Sequence, residues 1–397
     1  MNYNVKKLCT DAIPEDELIA IRREFHMYPE ISGQEYKTME RIASYLNRWG
    51  IPYEEGVAET GIVVRMTGNR PGKNIAIRGD IDALPFEEMN KDLPYCSKNP
   101  GVMHACGHDV HTTVLLGVAK TLKSLNGDFA GSFTLLFQPN EEGTGGAERM
   151  IQAGCLENPH IDHAIGLHVD PRFPFGKIEV VYGKMYAASD MITLKVYGKS
   201  SHGAQPQKGI DAIVIAANII NALQSVVSRM TDPVDAAVCT IGRIEGGNVR
   251  NQIADFVKCE GIIRTVDPQT RIATRERVAR ICSSVAEAMG GKAELEVQES
   301  YGSLITDKAV TDVICEVAKH QLGDDGVIVD DKPLLGVEDF SYFAAARPSG
   351  FYHLGCADPE HVKDAPQLHN NHFNVDERCI MTGVQLQVEL ALRLAGN

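Results

Sequence analysis

The chain has 397 residues, more than one hydrophobic core usually organises, so two domains are expected. Its 44% apolar and 23% charged residues are typical of a folded globular protein and exclude a disordered one. A net charge of −14 argues against nucleic acid or an anionic membrane as the main partner, although a local cationic site can still bind an anionic small molecule.

The sequence favours a cytoplasmic location. The first residues, MNYNVKKLCTDAIPEDELIA, lack the apolar core of a signal peptide, and no stretch approaches the roughly 18 consecutive apolar residues of a membrane span. The ten cysteines form no C-x-x-C pair and no short disulfide framework, which favours reduced thiols. We therefore expect a cytoplasmic protein that binds neither membrane nor nucleic acid.

The first part of the chain alternates between predicted helices and short apolar strands. Helical spacing of apolar residues predicts a helix pair within 13–49, and the strands GIVVRMTG and NIAIRGDIDALP follow. Next come a helix over 110–125, the strand SFTLLFQP, the helix GGAERMIQAG and the strand HAIGLHV. This alternation predicts an α/β sheet flanked by helices, with ligands bound in loops at the carboxyl ends of the strands.

The pattern changes near residue 187. Four strands and two long helices follow in the order β-α-β-β-α-β, beginning with MITLKVYG and ending with KAELEVQES. This is the order of a ferredoxin-like α+β domain. After residue 297 the mixed α/β pattern returns. We therefore predict a discontinuous catalytic domain formed by 1–186 and 298–397, with a compact insertion at 187–297.

Residues 101–111, GVMHACGHDVH, carry a high density of metal-ligand side chains. Cys106 and His108 are two positions apart in a Gly-containing loop that opens a helix, so both side chains can converge on one point. A thiolate and an imidazole suit a borderline ion such as Zn²⁺. Asp109 could hold the other nitrogen of the ligand histidine. Three explanations stay open: a metal site, a cysteine nucleophile with a nearby base, or chance.

Two ligands are too few for a metal site, and further candidates follow predicted strands. Glu141 and Glu142 come directly after SFTLLFQ, and His168 follows HAIGL. His369 lies in LHNNHF near the C-terminus. One of two adjacent glutamates can ligate a cation while the other serves as general base toward a water. Asp82, at the end of an earlier strand, either orients a ligand histidine or caps a loop.

Taken together, eight motifs resemble the zinc-dependent amidohydrolase and exopeptidase family of aminoacylases, hippurate hydrolases and auxin-conjugate hydrolases. They are GDIDALP, MHACGHD, QPNEEG, GLHV, SSHGAQP, GGNVRN, GVEDF and LHNNHF. The cysteine in residues 101–107 (the metal loop) resembles the amidohydrolase branch, since the dipeptidase branch usually carries an aspartate there. The resemblance implies a di-metal exopeptidase-like mixed sheet flanked by helices in 1–186 and 298–397, which would be the metal-binding catalytic domain. The inserted ferredoxin-like α+β domain at 187–297 would serve for dimerisation or as a lid.

The resemblance also implies two divalent metal ions per subunit, Zn²⁺ or Mn²⁺. Cys106 would bridge the ions, and the remaining ligands would be His108, Glu142, His168 and His369. Glu141 would be the catalytic base. His202, in the inserted domain, would reach the active site of a partner subunit and stabilise the oxyanion, which implies a homodimer or a tetramer.

The implied reaction is hydrolysis of the amide bond of N-acyl amino acids, giving a carboxylic acid and a free amino acid. By analogy, Asn251 and Arg264 would hold the substrate carboxylate, since a guanidinium pairs well with a carboxylate. Asn371 and Ala254 stand where the family usually has proline, so substrate preference is less determined than reaction type. The alternatives are a dipeptidase or carboxypeptidase, a catalytically silent metal-binding or ligand-binding protein, and a cysteine hydrolase.

Overall fold

A computed structural model describes residues 3–396, which form ten α-helices and fourteen β-strands. The helices are α1 Val5–Ala12, α2 Glu15–Met27, α3 Tyr36–Arg48, α4 His108–Ser124, α5 Ala147–Gln152, α6 Ala212–Met230, α7 Pro268–Ala288, α8 Lys308–Leu322, α9 Ser341–Ala346 and α10 Arg378–Leu394. The strands are β1 Tyr53–Val57, β2 Gly61–Thr67, β3 Arg70–Asp80, β4 Ala130–Gln138, β5 His163–Pro174, β6 Ile178–Val181, β7 Lys184–Tyr186, β8 Ala188–Tyr197, β9 Ala237–Gly246, β10 Phe256–Thr265, β11 Lys292–Glu299, β12 Leu304–Ile305, β13 Val327–Asp330 and β14 Ser349–Ala357.

Contacts divide the chain into two compact units. The second unit is Lys184–Leu304 together with Pro333–Ser341, and the first contains the remaining described residues. The sequence predicts junctions at 186/187 and 297/298, and the contacts divide the chain at 183/184 and 304/305. The assignment of Pro333–Ser341 to the second unit was not predicted.

The first unit is built on an eight-stranded mixed sheet in the order β1-β2-β4-β3-β5-β14-β6-β13. Strands β4, β3, β5 and β14 are parallel neighbours, whereas β1 and β2 join antiparallel. Every residue of β4 is buried, as expected for a strand covered on both faces. Helix α4 is buried along nearly its whole length and contacts α2 and α10. The predicted fold class, a mixed sheet flanked by helices, is confirmed.

The parallel strands bring their carboxyl ends to one edge of this sheet. Asp80, the last residue of β3, pairs in register with Gln138, the last residue of β4. Within β5, Gly166 pairs with Arg78 of β3, so His168 lies beyond the paired region at the same edge. The loops that carry Asp82 and Glu141 therefore begin at the same edge of the sheet as His168.

The second unit is a four-stranded antiparallel sheet in the order β11-β8-β10-β9. Helices α6 and α7 pack on it and share its apolar core. Asp211 and Asp267 begin these helices, and the carboxylate of each accepts two backbone N–H groups of the first turn. The chain order β8-α6-β9-β10-α7-β11 is the ferredoxin-like order expected from the sequence.

One helix of the described residues is long and apolar enough to span a membrane by length and composition alone. It is α6, whose mean hydropathy is 1.4. One face of α6 belongs to the core of the second unit, including Ile215, Ile219 and Leu223. Its composition is therefore explained in part by packing against its own sheet.

Candidate metal centre and active site

Cys106 and His108 are placed by a loop that runs directly into α4. Gly107, between them, begins the helix in a left-handed conformation with φ of 87°. A Cβ atom at Gly107 would lie 2.3 Å from Cγ2 of Val169, so glycine is needed both for the backbone and for the close approach to β5. This packing puts Sγ of Cys106 3.3 Å from Nε2 of His168.

The ring nitrogens of both histidines are directed by hydrogen bonds. Nδ1 of His108 lies 3.1 Å from Oδ1 of Asp82, and Nδ1 of His168 donates to the Val169 carbonyl at 2.7 Å. In each ring Nε2 is then left to face the cluster, the usual arrangement for a metal-binding histidine. Asp82 is buried, and its contact with Nδ1 is the one expected of a residue that orients His108.

Asp109 does not contact a ligand histidine, and this prediction is wrong. Its Oδ2 atom lies 2.7 Å from Nε of Arg22 and 2.8 Å from Nδ1 of His26, both on α2. Although burial opposes its charge, Arg22 and His26 hold the pKa of Asp109 well below its usual value. The physical reason is that successive helical residues point about 100° apart, so Asp109 is directed away from the side chain of His108.

A second group of ligands is completed by residues distant in sequence. Nε2 of His369 lies 3.0 Å from Oε1 of Glu142, which in turn is 4.0 Å from Nε2 of His108. His369 has a left-handed backbone with φ of 61°, and its N–H donates to the Ala105 carbonyl at 2.8 Å. A non-glycine residue in this region is strained and is found where the surroundings fix it.

The structure thus brings together all five side chains expected to bind metal. Cys106, His108 and His168 have ligand atoms within 4.8 Å of one another, and so do Cys106, Glu142 and His369. The two groups share Cys106, the side chain expected to bridge two ions. The five residues come from the metal loop, α4, β5, the loop after β4 and the segment before α10.

The electrostatics of the cluster fit cations. Burial and the nearby carboxylates of Glu142 and Glu141 raise the pKa of the Cys106 thiol well above its usual value. Although burial opposes its charge, His108 has its pKa raised to about 10 by Asp80, Asp82 and Glu142. The buried atom Nε2 of His108 has no hydrogen-bond partner among the residues that the structure describes, and Oε1 of Glu142 is approached by Nε2 of His369 at 3.0 Å. Divalent cations would satisfy these atoms and offset the negative potential.

Glu141 lies beside the proposed ligands. Its carboxylate has an oxygen within 4.8 Å of ligand atoms of His108 and Glu142, and its side chain is 8% exposed. Glu141 belongs to neither of the two groups that share Cys106. It is therefore placed to act on a molecule held at the cluster.

Sequence reasoning missed the part played by Asp80 and His111. Nδ1 of His111 lies 2.5 Å from Oδ1 of Asp80, and Nε2 of His111 accepts the N–H of Val169 at 2.9 Å. Both ring nitrogens are thus occupied, so His111 supports β5 beside His168 instead of binding a metal. The signal was present in the spacing, because His108 and His111 are three positions apart and share a helix face.

The three candidate residues of the inserted sequence lie in the second unit. His202 is exposed, and its Nδ1 accepts the N–H of Ala204 at 3.1 Å, which puts the proton of a neutral ring on Nε2. The carbonyl of Asn251 accepts the N–H of Gly203 at 2.8 Å, so these two loops are neighbours. Arg264 lies on β10, between the core residue Ile263 and buried Thr265, so it points to the sheet face opposite the helices.

One nitrogen of the Arg264 guanidinium, Nη1, is buried and has no hydrogen-bond partner within the described part of the chain. Burial lowers the pKa of Arg264 from its usual value. A buried guanidinium nitrogen without a partner can pair with a carboxylate.

Comparisons with known proteins cover nearly the whole chain. The profile of peptidase family M20/M25/M40 matches residues 76–393. N-acetyl-L-cysteine deacetylase of Bacillus subtilis is 37% identical over 96% of this chain and 88% of its own. Thermostable carboxypeptidase 1 of Saccharolobus solfataricus is 36% identical over 99% of both chains. The solved structure of the YXEP protein of Bacillus subtilis, a dinuclear metal binding peptidase, matches with a TM-score of 0.83 at 30% identity, over 96% of this chain and 98% of that one.

Proposed function

The chain belongs to peptidase family M20/M25/M40 and is a metal-dependent amidohydrolase, and we propose that its substrates are N-acyl amino acids. The family predicted from the motifs is thereby confirmed. The products would be a carboxylic acid and a free amino acid. The observation that carries the proposal is the pair of ligand groups that share Cys106, with the carboxylate of Glu141 beside them.

Five residues would hold two divalent ions: Cys106, His108, Glu142, His168 and His369. Cys106 would contact both ions, since it is common to the two ligand groups. When bound, such ions polarise the substrate carbonyl and make a water molecule more acidic. Thiolate and imidazole ligands favour Zn²⁺, and Mn²⁺ is the other candidate.

Glu141 would act as the general base and then as the general acid. Its carboxylate takes a proton from the attacking water and delivers it to the nitrogen of the leaving amine. A positioned group of this kind contributes about 10²–10⁴-fold to the rate. Its buried position beside Glu142 supports this role, because exclusion of water strengthens the interaction of a carboxylate with developing charge.

The second unit would supply the groups that bind the rest of the substrate. The Nε2–H of His202 would donate to the oxyanion in the active site of a partner subunit, which requires a homodimer or a tetramer. Arg264 and Asn251 would bind the substrate carboxylate. The unpartnered Nη1 of Arg264 and the proton placed on Nε2 of His202 support these assignments.

Two features of the second unit support self-association. Strand β9 is at the edge of its sheet, and no other described strand pairs with its outer side. Helix α6 next to it exposes Ile213, Val214 and Met230, each more than 40% exposed. A second copy of the chain that covered both would hide apolar surface and complete the edge.

The cysteines bear on location and on the competing mechanism. All ten are free, which fits a reducing compartment and supports the predicted cytoplasmic location.

Burial raises the pKa of Cys106 and lowers that of His168, so the neutral pair is favoured over the thiolate and imidazolium of a cysteine hydrolase.

The test is hydrolysis of a panel of N-acetyl and N-benzoyl amino acids by metal-stripped protein, before and after addition of Zn²⁺ or Mn²⁺. The proposal expects activity only with metal, and the preferred acyl group identifies the substrate. Dipeptides with a free α-amine form the second panel, and a preference for them would indicate a dipeptidase or carboxypeptidase. Activity that persists with chelator would indicate a cysteine hydrolase. No activity on either panel, with Zn²⁺ or with Mn²⁺, would favour a silent binding protein.

A further inference from the structure

Glu35 is a fully buried carboxylate whose partners include the loop that carries Glu141. Its side chain is 0% exposed, in the segment between α2 and α3. Oε1 accepts the backbone N–H of Asn140 at 2.9 Å and that of Gly33 at 2.7 Å. Oε2 accepts the hydroxyl of Thr60, itself buried, at 2.6 Å. A buried carboxylate with three donors is held in one position.

The residue that Glu35 contacts has an unusual backbone. Asn140 is left-handed, with φ of 60°, and directly precedes Glu141. Its side chain closes the loop, since Nδ2 donates to the Thr144 hydroxyl at 2.8 Å and Oδ1 accepts the Thr144 N–H. A Cβ atom at Gly143 would lie 2.1 Å from Oδ1 of Asn140, so the loop packs tightly around this side chain. Strain at Asn140 persists only while the surroundings fix it.

Buried carboxylates hold the backbone on both sides of Glu141. Glu35 accepts the N–H of Asn140, and Asp82 accepts the N–H of Glu142 at 2.9 Å. Asp82 also contacts His108, so its loss would disturb a proposed ligand. The hydrogen bonds of Glu35 go to Gly33, Thr60 and Asn140, none of which is a proposed ligand.

We propose that Glu35 is a positioning residue for the general base: by fixing the backbone of Asn140, it sets the direction of the Glu141 side chain. The proposal rests on the proposed function, in which Glu141 is that base. A displacement of the order of 1 Å in a catalytic group lowers the rate about 10²-fold. The effect of Glu35 is therefore expected on kcat, with KM and metal content preserved.

The experiment compares variants of the metal-loaded enzyme. Glu35→Leu removes every acceptor, and we expect kcat to fall roughly 10- to 100-fold, with KM and bound metal within about twofold of the parent. Glu35→Gln can turn its oxygen to Asn140 while the Thr60 hydroxyl accepts from the amide, so it is expected to restore kcat to within about threefold. An unchanged kcat in folded Glu35→Leu, or loss of metal together with kcat, overturns the proposal.

A matched control comes from the same segment. The carboxylate of Glu30 accepts the N–H and the hydroxyl of Thr38 at the start of α3. Glu30→Leu thus removes a structural carboxylate outside the Glu141 loop, and kcat is expected to stay within about twofold. A kcat loss in Glu30→Leu equal to that in Glu35→Leu would make the effect a general one of the segment and overturn the proposal.

A double mutant separates this proposal from the function on which it rests. In a Glu141→Gln background, Glu35→Leu is expected to lower kcat no further, because the group it positions is gone. A further fall of the same size overturns the positioning role. Full activity of Glu141→Gln alone shows instead that the proposed base is wrong. If Glu35→Leu does not fold, Glu35→Asp replaces it, with an expected intermediate fall in kcat because the shorter side chain withdraws from Asn140.

Discussion

Asp82 holds His108 by a contact of 3.1 Å between Oδ1 and Nδ1, and both side chains are buried. The second oxygen of Asp82 accepts the N–H of Glu142 and the hydroxyl of Ser32. One carboxylate thereby orients one proposed ligand and fixes the backbone of another. Its position links the metal loop to the loop after β4.

Replacement of Asp82 by Asn is expected to weaken metal binding about 10- to 100-fold, because the amide cannot both orient His108 and accept from Glu142 and Ser32. Metal affinity is measured by competition with a chromogenic chelator. Asp162→Asn is the control, since Asp162 accepts the N–H of Asn74 before β5, away from the carboxyl ends of the strands. Unchanged metal affinity in Asp82→Asn would show that Asp82 does not support metal binding.

Glu141→Gln is expected to lower kcat about 10²–10⁴-fold while bound metal stays at the parent level, because the amide cannot take a proton from water. Steady-state kinetics and metal analysis of the same preparation check both statements. Glu142→Gln provides the comparison, since loss of a ligand lowers metal content. Metal loss in Glu141→Gln would make Glu141 a ligand.

Removal of metal is expected to abolish hydrolysis and to destabilise the first unit, because buried carboxylates and the Cys106 thiol then lose the cations that offset them. A ligand at 100 times its Kd stabilises the folded state by about 2.7 kcal/mol, so the thermal midpoint falls on chelation. Calorimetry with chelator, then with added Zn²⁺ or Mn²⁺, measures this. A midpoint indifferent to chelator and metal would contradict a metal centre.

The contact of His26 with Glu88 is expected to make stability depend on pH. Nε2 of His26 lies 3.2 Å from Oε1 of Glu88, and both residues are buried. Although burial and Arg22 oppose its charge, hydrogen bonds to Asp109 and Glu88 raise the pKa of His26 above 6.5. Burial opposes the charge of Glu88, but the hydrogen bond from His26 and its charge lower that pKa below 4.5.

The signs of these shifts define a window. The contribution of His26 is complete below about pH 6.5 and is lost as the pH rises through its raised pKa, whereas that of Glu88 is complete above about pH 4.5 and is lost on acidification. Glu88→Gln is therefore expected to lower the free energy of unfolding by about 3 kcal/mol near pH 5.5 and by less near pH 9. Urea titrations at both pH values measure it, and an equal loss at both would contradict a charged pair.

The fold was predictable to a large extent because its elements are encoded locally. The apolar run SFTLLFQP predicted the strand that the structure has as β4, and MITLKVYG predicted the strand β8. Helix α1 was missed, since it has only eight residues and two buried positions. Pro333–Ser341 joined the second unit through contacts between residues distant in sequence, which local patterns do not encode.

The sequence by itself determined which side chains are candidates for the site, because residue type fixes the thiol, imidazole and carboxylate groups. Cys106, His108, Glu141 and Glu142 also follow strands or open helices. Only the tertiary structure decided their supports. Asp109 pairs with Arg22, which is 87 positions earlier in the sequence, and Glu35 pairs with Asn140, which is 105 positions later. Both partners depend on the direction in which a helix or loop presents its side chains once packed, and that direction is set by the whole fold rather than by neighbouring residues.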